Sequence, residues 1–157
     1  MKGRTPHIEV RLATIDDAPS VLDFIEMFFH ATPWSSAMKF NRKSAGEFLP
    51  RAIGSGYAPH AVAFDGDEMV GMCSYHIYAV YTDPIAVMDE CYVLPRLRMT
   101  DLGRRLVGLA IDLARADGAR VMNFPIASQL PAQNGLMNMV GRHFGAVYCG
   151  MIFRKEL

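Results

Sequence analysis

The feature that most limits how this chain can fold is a run of three strand patterns followed directly by a helix pattern. The first two strand patterns, HAVAF and EMVGMCSYHIYAVY, are separated by DGD, which is a strong signal for a β-hairpin. The third, IAVMDECYVL, follows the turn-forming segment TDP. Strands joined by such short turns pair in antiparallel fashion, so the chain builds its sheet around this run.

Helix and strand patterns also lie on both sides of the run. Before it, HIEVRLAT alternates like a half-buried strand, a helix follows Asp16 and Asp17, and NRKSAGEFLPRAIGSG predicts a second helix, ended by Pro50 or by the glycines after it. After it, the sequence predicts a helix from Leu102 to a C-cap at Gly118, a strand in ARVMNFPI, a helix in AQNGLMNMVGRHF and a closing strand in AVYCGMIFRKEL. This order predicts an α/β protein of the α+β type, with a mixed, mostly antiparallel sheet flanked by helices.

Composition limits the number of domains and the class of partner. The chain has 157 residues, 51% of them hydrophobic, and shows no repeat or long linker, so we expect one domain over residues 1–157. Its formal net charge is zero, which argues against a nucleic-acid partner or an anionic membrane surface. No apolar segment reaches the ~18 residues of a membrane span, and no signal peptide is visible.

Cysteine and histidine positions argue against a metal site. The three cysteines, Cys73, Cys91 and Cys149, are odd in number and lack metal-ligand spacing, which favours reduced thiols in a cytoplasmic protein. The histidines His30, His60 and His76 are too scattered to suggest metal ligation. We therefore expect no metal.

The segment VLPRLRMTDLGRRL joins the third strand of the run to the helix after it. Backbone N–H groups at a helix start are unpaired, and together with the helix dipole they bind anions. Arg98, Arg104 and Arg105 add positive charge, and Gly103 lets a phosphate approach the backbone closely. Arginines oppose the helix dipole at this end, so anion binding is favoured over a merely basic helix start.

This segment resembles the motif of the GNAT superfamily of N-acetyltransferases, which transfer an acetyl group from acetyl-CoA to an amine. The motif is Arg or Gln, two residues, Gly, one residue, then Gly or Ala, after a strand that ends in Val-x-Pro. Val93, Pro95, Arg98 and Gly103 match it, whereas Asp101 stands where the first glycine is usual. Similarity extends over nearly the whole chain, through VRLATIDDAPSVLDF, AVAFDGDEMVGM and NGLMNMVGRHFGA. The resemblance implies a GNAT-like acyl-CoA N-acyltransferase fold.

The resemblance also implies acetyl-CoA as cosubstrate. Its pyrophosphate would lie on the amides from Met99 to Arg104, and its pantetheine arm would pair with the strand from Cys91 to Val93. Separation of the neighbouring strands would open the cleft for the thioester. The residues implied to bind the cosubstrate are Cys91, Tyr92, Val93, Arg98, Met99, Thr100, Asp101, Leu102, Gly103, Arg104 and Asn134.

The chemical step requires a base, because a primary amine is mostly protonated at neutral pH. Asp89 and Glu90 are the candidate catalytic residues, and MDECYV resembles the paired acids of polyamine acetyltransferases. Strand alternation sends these two side chains to opposite faces, so we expect only one to reach the cleft, and either can be that one. The competing interpretation is a pair of solvent-facing strand carboxylates.

Two departures from the family pattern leave alternatives open. The tyrosine that assists the leaving thiolate in many members corresponds to Gly141 here, so Tyr148, Cys149 or His143 would replace it, or the thiolate would leave unaided. At Asp101 we expect a left-handed backbone and a helix cap, with the carboxylate turned towards Arg104, Arg105 or the helix amides, and weaker CoA binding than with glycine. Both departures favour an alternative interpretation, in which the chain is a non-catalytic acyl-CoA-binding or assembly protein that retains the fold.

The partners implied by the resemblance are acetyl-CoA and an amine-bearing acceptor, either a small molecule or a protein. The acceptor pocket would be framed by the first helix with its loop and by the strand SYHIYAVY. Its candidate aromatic residues are Phe28, Phe29, Trp34, Tyr75 and Tyr78. The family's tendency to dimerise leads us to expect a homodimer.

Overall fold

The computed structural model describes residues 7–79, 83–125 and 131–147, with the backbone alone for residues 131–134. Its sheet has five strands in chain order: β1 (Ile8–Leu12), β2 (His60–Asp65), β3 (Glu68–Tyr78), β4 (Ile85–Val93) and β5 (Val121–Asn123). The first four pair in antiparallel fashion, and β5 pairs in parallel with β4. The predicted mixed, mostly antiparallel sheet is confirmed. Most of the predicted closing strand, at residues 148–157, lies outside the described residues.

Five helices are described: α1 (Ala18–His30), α2 (Trp34–Ala37), α3 (Arg42–Ser55), α4 (Leu102–Ala116) and α5 (Pro131–Phe144). Helix α3 runs through Pro50 and ends where Gly56 adopts φ 71°, so the alternative of a break at Pro50 is wrong. The backbone at Gly56 is left-handed, which glycine adopts without steric cost. The short helix α2 was not predicted. No helix in the described ranges is long and apolar enough to cross a membrane.

Helix α4 packs on one face of the sheet through an apolar stripe. Its buried residues are Leu102, Leu106, Val107, Ala110 and Ala114. A Cβ at position 71 of β3 would lie 2.8 Å from Leu106 Cδ1, so Gly71 lets the helix approach the strand closely. Complete burial of a leucine contributes roughly 1.5–3 kcal/mol, so this stripe holds the start of α4 firmly against the sheet.

Helix α1 packs on the opposite face. Tyr92 of β4 pairs with Met72, the neighbour of Gly71, so its side chain points away from α4. Its ring contacts the rings of Phe24 and Phe28 of α1, with centroids 5.7 and 5.4 Å apart. The sheet thus separates a face covered by α1 from a face covered by α4, and β4 contributes side chains to both.

Candidate functional site

A β-bulge interrupts the pairing of β3 with β4 where the candidate acids lie. Cys73 pairs with Cys91, but two residues further along β3 Tyr75 pairs with Met88. Ser74 therefore stands alone opposite Asp89 and Glu90, which places the extra residue on β4. A bulge of this kind bends the strand and redirects its side chains.

The two acids lie on the same face of the sheet, contrary to the prediction from alternation. The Ser74 hydroxyl donates a hydrogen bond to the Glu90 carboxylate, and His76 Nδ1 lies 2.7 Å from Asp89 Oδ1. Ser74 and His76 are two residues apart on β3, so their side chains share one face. It is the face of α1, because Ser74 alternates with Tyr75, whose hydroxyl bonds Asp117 at the end of α4. The expectation that only one acid reaches this face is wrong, because the bulge cancels the alternation.

Glu90 is half-buried and held by one neighbour. Ser74 Oγ donates a hydrogen bond to Glu90 Oε2. Ser74 Oγ also accepts a hydrogen bond from the backbone N–H of Glu90, at 3.3 Å. Burial raises the pKa of the Glu90 carboxyl above its usual value, whereas the hydrogen bond from Ser74 lowers it. The carboxylate of Asp89 raises that pKa further. A carboxylate whose pKa is raised towards neutrality is a better proton acceptor for an amine than an ordinary one.

Asp89 is more exposed than Glu90 and is paired with an imidazole. Its side chain is 33% exposed and that of His76 is 21% exposed. The His76 ring also stacks edge-on against Tyr78, with centroids 4.7 Å apart. Asp89 therefore forms an ion pair with His76 whenever the imidazole is protonated.

Next to these acids, the end of β4 has no strand partner on the β5 side among the described residues. Pairing with β5 runs from Ile85 to Val87 only, and within the described residues β5 offers no partner to the rest of the strand. Cys91, Tyr92 and Val93 lie on this stretch, which pairs with β3 on its other side. Cys91 faces Cys73 directly across β3, and its thiol together with burial raises the pKa of the Cys73 thiol.

The loop after β4 presents several polar groups to solvent. Arg98 Nε donates to the Val93 carbonyl at 3.2 Å, and the guanidinium carbon lies 5.2 Å from the centre of the Tyr92 ring. Thr100 Oγ1 donates to the Leu97 carbonyl at 2.7 Å and accepts from the Leu102 N–H at 3.3 Å. Met99 is 98% exposed. The loop is thus held by its own hydrogen bonds while Arg98 and Met99 remain accessible.

Two backbone amides at the start of α4 have no protein acceptor in the described part of the chain. They belong to Gly103 and Arg104, whereas the next amide, of Arg105, bonds the Asp101 carbonyl at 3.0 Å. A Cβ at position 103 would have only Val93 Cγ2 near it, at 4.0 Å, so the space beside these amides is open. Open amides at a helix start fit an anion such as a pyrophosphate.

The backbone expected at Asp101 is wrong. Its φ is −79° and ψ 0°, and no non-glycine residue of the described ranges has positive φ. Its side chain does not cap α4 either, since it accepts no hydrogen bond from the amides of the first turn. The carboxylate does turn towards Arg104, with 3.6 Å between Asp101 Oδ2 and Arg104 Nη2, as one of the expected alternatives had it. The turn preceding α4 needs no left-handed residue, and this is why aspartate is tolerated.

A family model described as acetyltransferase (GNAT) family matches residues 22–136, most of the chain. The chain belongs to the GNAT acetyltransferase family. This confirms the resemblance that the loop and the strand before it had suggested. No curated protein matches the sequence at a significant level.

Solved structures agree with this GNAT assignment at the level of the fold. An acetyltransferase from Trypanosoma brucei has a TM-score of 0.71 at 16% identity, covering 96% of this chain and 99% of its own. The aminoglycoside N-acetyltransferase AAC(6')-Iy in complex with CoA has a TM-score of 0.71 at 14% identity, covering 100% of both chains. An aminoglycoside acetyltransferase from an uncultured soil metagenomic sample, in complex with sisomicin, has a TM-score of 0.73 at 12% identity and covers 96% of each. At these identities the three structures show that the chain shares the fold of these acetyltransferases.

A pocket of this GNAT protein lies beside the open amides. It has a volume of about 270 Å³ and is lined by Arg104, Arg105, Gly108, His143 and Phe144. A Cβ at position 108 would lie 3.8 Å from the Phe144 ring, so the glycine widens the space between α4 and α5. Arg105 donates to the Ile8 carbonyl at 2.9 Å, whereas Arg104 lies 3.6 Å from the Asp101 carboxylate.

Some predicted site residues of the GNAT protein are elsewhere or not described. Tyr75 is fully buried and donates to Asp117 Oδ2 at 2.7 Å on the α4 face, so its place in an acceptor pocket is wrong. Tyr148, Cys149 and the side chain of Asn134 lie outside the described residues. Among the described residues no group of three or more His, Cys, Asp or Glu is placed to hold a metal ion.

Two functional candidates of the GNAT protein were missed by sequence reasoning. Ser74 and His76 lie at alternate positions of an otherwise apolar strand, MCSYHIY, and each hydrogen-bonds one of the paired acids. The signal was present, because a serine and a histidine two residues apart on a buried strand need partners on one face. Their partners were unpredictable, because the register and the bulge between β3 and β4 were unknown.

Substitution of Asp101 tests the electrostatics of the loop. We expect Asp101→Asn to bind acetyl-CoA about twofold to fivefold more tightly at low salt, because it removes a negative charge next to the amides of α4. Isothermal titration calorimetry at low and high salt measures this, and the gain should shrink at high salt. Asp112→Asn is the matched control, since Asp112 makes an equivalent pair with Arg115 later in α4. Equal or weaker binding by Asp101→Asn would contradict this account.

Proposed function

We propose that this protein is an N-acetyltransferase that transfers the acetyl group of acetyl-CoA to a primary amine by direct attack. The observation that carries the proposal is the placement of two functions on one strand. The acids Asp89 and Glu90 lie on β4, the strand that leads through one loop into the proposed anion-binding start of α4. A thioester held at the free edge of β4 would then lie close to a base.

The proposed cosubstrate site uses the groups left open at the end of β4. The amides of Gly103 and Arg104, with the side chain of Arg98, would hold the pyrophosphate. The free backbone edge from Cys91 to Val93 would pair with the pantetheine arm in the manner of an added strand. We propose the same role for the flanking Met99, Thr100, Asp101 and Leu102, and a contact with the arm for Asn134.

The proposed chemistry requires a single proton acceptor. Acetyl-CoA supplies a thioester whose carbonyl carbon is attacked by the neutral amine. The C–N bond forms, the C–S bond breaks, and the proton of the amine passes to Glu90, directly or through water. We assign this role to Glu90 because burial raises its pKa, whereas Asp89 is exposed and paired with His76. Asp89 would then draw the cationic form of the acceptor to the site.

The leaving thiolate has no tyrosine to assist it from α5, where Gly141 occupies the family position. A thiol has a pKa of about 8.5, so its thiolate is a good leaving group near neutral pH without a proton donor. We propose unaided departure. His143, which lines the pocket between α4 and α5, stays an alternative donor.

A screen of amine acceptors tests the proposed function directly. The protein is incubated with acetyl-CoA and aminoglycosides, polyamines, amino acids or peptides with a free lysine or N-terminus, and both thiol release and acetylated product are measured. Aminoglycosides belong in the screen because they are the ligands of several neighbours, and the two carboxylates would attract a cationic acceptor. Product from one amine class supports the proposal.

The second candidate is a non-catalytic acyl-CoA-binding protein. It is favoured by Asp101 in place of a glycine and by Gly141 in place of a tyrosine. Tight binding of acetyl-CoA with no product from any amine class would establish this alternative and reject the first. The two candidates are therefore separated by the same screen combined with calorimetry.

Arg98 gives the first test of the cosubstrate site. We expect Arg98→Ala to weaken acetyl-CoA binding about tenfold, the usual effect of losing one charge-assisted hydrogen bond. Within the described residues only its Nε donates a hydrogen bond, so its Nη groups are available to a phosphate. Arg96→Ala is the matched control, because Arg96 lies in the same loop but pairs with Glu68 at 2.7 Å. Calorimetric affinities that fall equally in both variants would argue against a specific role of Arg98.

We also propose that residues 1–157 form one domain, that the protein dimerises and that it acts in the cytoplasm. The family match over most of the chain supports the first point. Two free cysteines among the described residues are compatible with a reducing compartment. Light scattering of the purified protein measures the oligomeric state, and a monomer at high concentration would contradict the proposed dimer.

A further inference from the structure

Ser74 is a buried polar residue in the middle of an apolar strand. Only 1% of it is exposed, and the two residues before it, Met72 and Cys73, are fully buried. A hydroxyl in such a place is costly unless it is hydrogen-bonded. Among the described residues, both hydrogen bonds of the Ser74 hydroxyl are made with Glu90, across the bulge.

The two hydrogen bonds join Ser74 to both ends of Glu90. The hydroxyl proton is donated to the carboxylate, and the hydroxyl oxygen accepts the backbone N–H at 3.3 Å. Because Ser74 stands alone opposite the two residues of the bulge, it holds the backbone and the side chain of Glu90 at once. A residue that held the strand alone would need only the backbone contact.

We propose that Ser74 is a positioning residue that holds the Glu90 carboxylate on the α1 face of the sheet, in place for proton transfer. This inference rests on the proposed function of Glu90 as the base. It goes beyond it by assigning a role to a residue of β3 that neither the loop motif nor the paired acids include.

The charges around Glu90 make this contact important for its ionisation. Burial raises the pKa of Glu90, and Asp89 raises it further, whereas Ser74 and the imidazole of His76 lower it. On β2, His60 pairs with Ser74, and burial lowers the pKa of its imidazole, so it is neutral at pH 7. The Cys73 thiol is protonated because its pKa is raised. Asp89 and His76, both on the sheet, are the charged groups that affect the Glu90 pKa, and α1 contributes the rings of Phe24 and Phe28 that contact the neighbouring Tyr92.

Loss of the hydroxyl should therefore change the titration of Glu90. In Ser74→Ala we expect the acidic limb of the kcat/KM profile to move to higher pH by about one unit, the effect of one hydrogen bond to a charged group. At a pH on that limb the rate would fall about tenfold. Ser74→Cys, a weak donor of similar size, should shift the limb in the same direction, and Ser74→Thr, which keeps the hydroxyl, should restore it.

The experiment combines pH–rate profiles with a carboxyl titration. Profiles are recorded for the wild type and the three Ser74 variants on an acceptor from the screen, and Glu90 is titrated by NMR of 13C-labelled glutamate, assigned with Glu90→Gln. Ser55→Ala is the control, because that hydroxyl makes only local hydrogen bonds at the end of α3, donating to the Ala52 carbonyl at 3.3 Å and accepting from the Tyr57 N–H at 3.4 Å. If Ser74→Ala does not fold, the Cys and Thr variants carry the comparison.

The outcomes separate this inference from the proposed function. An upward shift of the Glu90 titration in the Ala or Cys variant, with recovery in the Thr variant, supports a positioning role. A lower melting temperature with an unchanged titration would make Ser74 a purely structural residue and overturn the inference. If the wild type acetylates no amine, the proposed function fails, while the NMR titration still decides whether Ser74 sets the ionisation of Glu90.

Discussion

Replacement of Glu90 by glutamine is expected to lower kcat for acetyl transfer by about 100-fold or more, the usual contribution of a general base. Glutamine has nearly the same shape and can still accept the hydrogen bond from Ser74, but it cannot take a proton. The affinity for acetyl-CoA should stay within about twofold of the wild type, because the changed group lies on the face of α1 and away from the loop before α4. Stopped-flow thiol release and calorimetry measure the two quantities.

The stability of this variant distinguishes lost chemistry from lost structure. Because burial raises the pKa of Glu90 in the folded state, its ionisation opposes folding, and stability falls as the pH rises from the usual glutamate range through the raised pKa. Glutamine does not ionise and so avoids this cost in folding free energy. The melting temperature of Glu90→Gln at neutral pH should therefore equal or exceed that of the wild type. An inactive variant with raised stability would be typical of a residue retained for function.

Asp89→Asn is the matched control for Glu90→Gln. Asp89 lies one residue away on the same face, but it is exposed and paired with His76. We expect a smaller loss, mainly in KM for a cationic acceptor, because the pair would attract the acceptor without taking its proton. A larger loss of kcat in Asp89→Asn than in Glu90→Gln would move the base to Asp89.

Substitution of Gly103 is expected to have the largest effect on acetyl-CoA binding. A valine at this position should weaken binding about 10- to 100-fold, because its branched side chain would fill the space beside the open amides of α4. Alanine should have a smaller effect. The protein itself should tolerate both changes, since a Cβ at position 103 would approach only Val93 Cγ2, at 4.0 Å. Calorimetry gives the affinities.

Thermal unfolding is the control for this series. Replacing a helical glycine usually adds stability, so neither variant should melt at a lower temperature than the wild type. Gly46→Ala is a matched substitution, because Gly46 lies in α3, a different helix from the one that follows the loop motif. A Cβ at position 46 would lie 3.4 Å from Leu22 Cδ2. Wild-type affinity in Gly103→Val would show that the phosphates do not bind at the start of α4.

Much of the site could be predicted because its residues are close in sequence. The anion-binding amides, Arg98 and Gly103 follow one strand directly, and a strand that enters a helix leaves those amides open in any fold. The paired acids lie on that same strand. Ser74 and His76 could not be assigned, because they meet the acids only through the register between β3 and β4.

The expectations that were wrong have a common cause. The opposite faces expected for Asp89 and Glu90 assumed a regular strand, whereas the bulge inserts one extra residue opposite Ser74. The left-handed backbone expected at Asp101 assumed the geometry of a glycine-rich loop. The loop is closed instead by a 3₁₀ turn, Pro95–Leu97, and by the Thr100 side chain. The acceptor pocket expected for Tyr75 assumed that its side chain points to the face of α1, whereas the side chain points to the face of α4.

By itself the sequence determined the order of the long helices and strands, the β2–β3 hairpin and the open amides at the start of α4, because turns, periodicity and helix starts depend on neighbouring residues. Only the tertiary structure decided which face each acid occupies and which side chain holds it. Those properties depend on strand register, and one inserted residue in a strand moves the side chains after it to the other face. In this protein that residue lies within the candidate catalytic pair, so the bulge decides that both acids share one face.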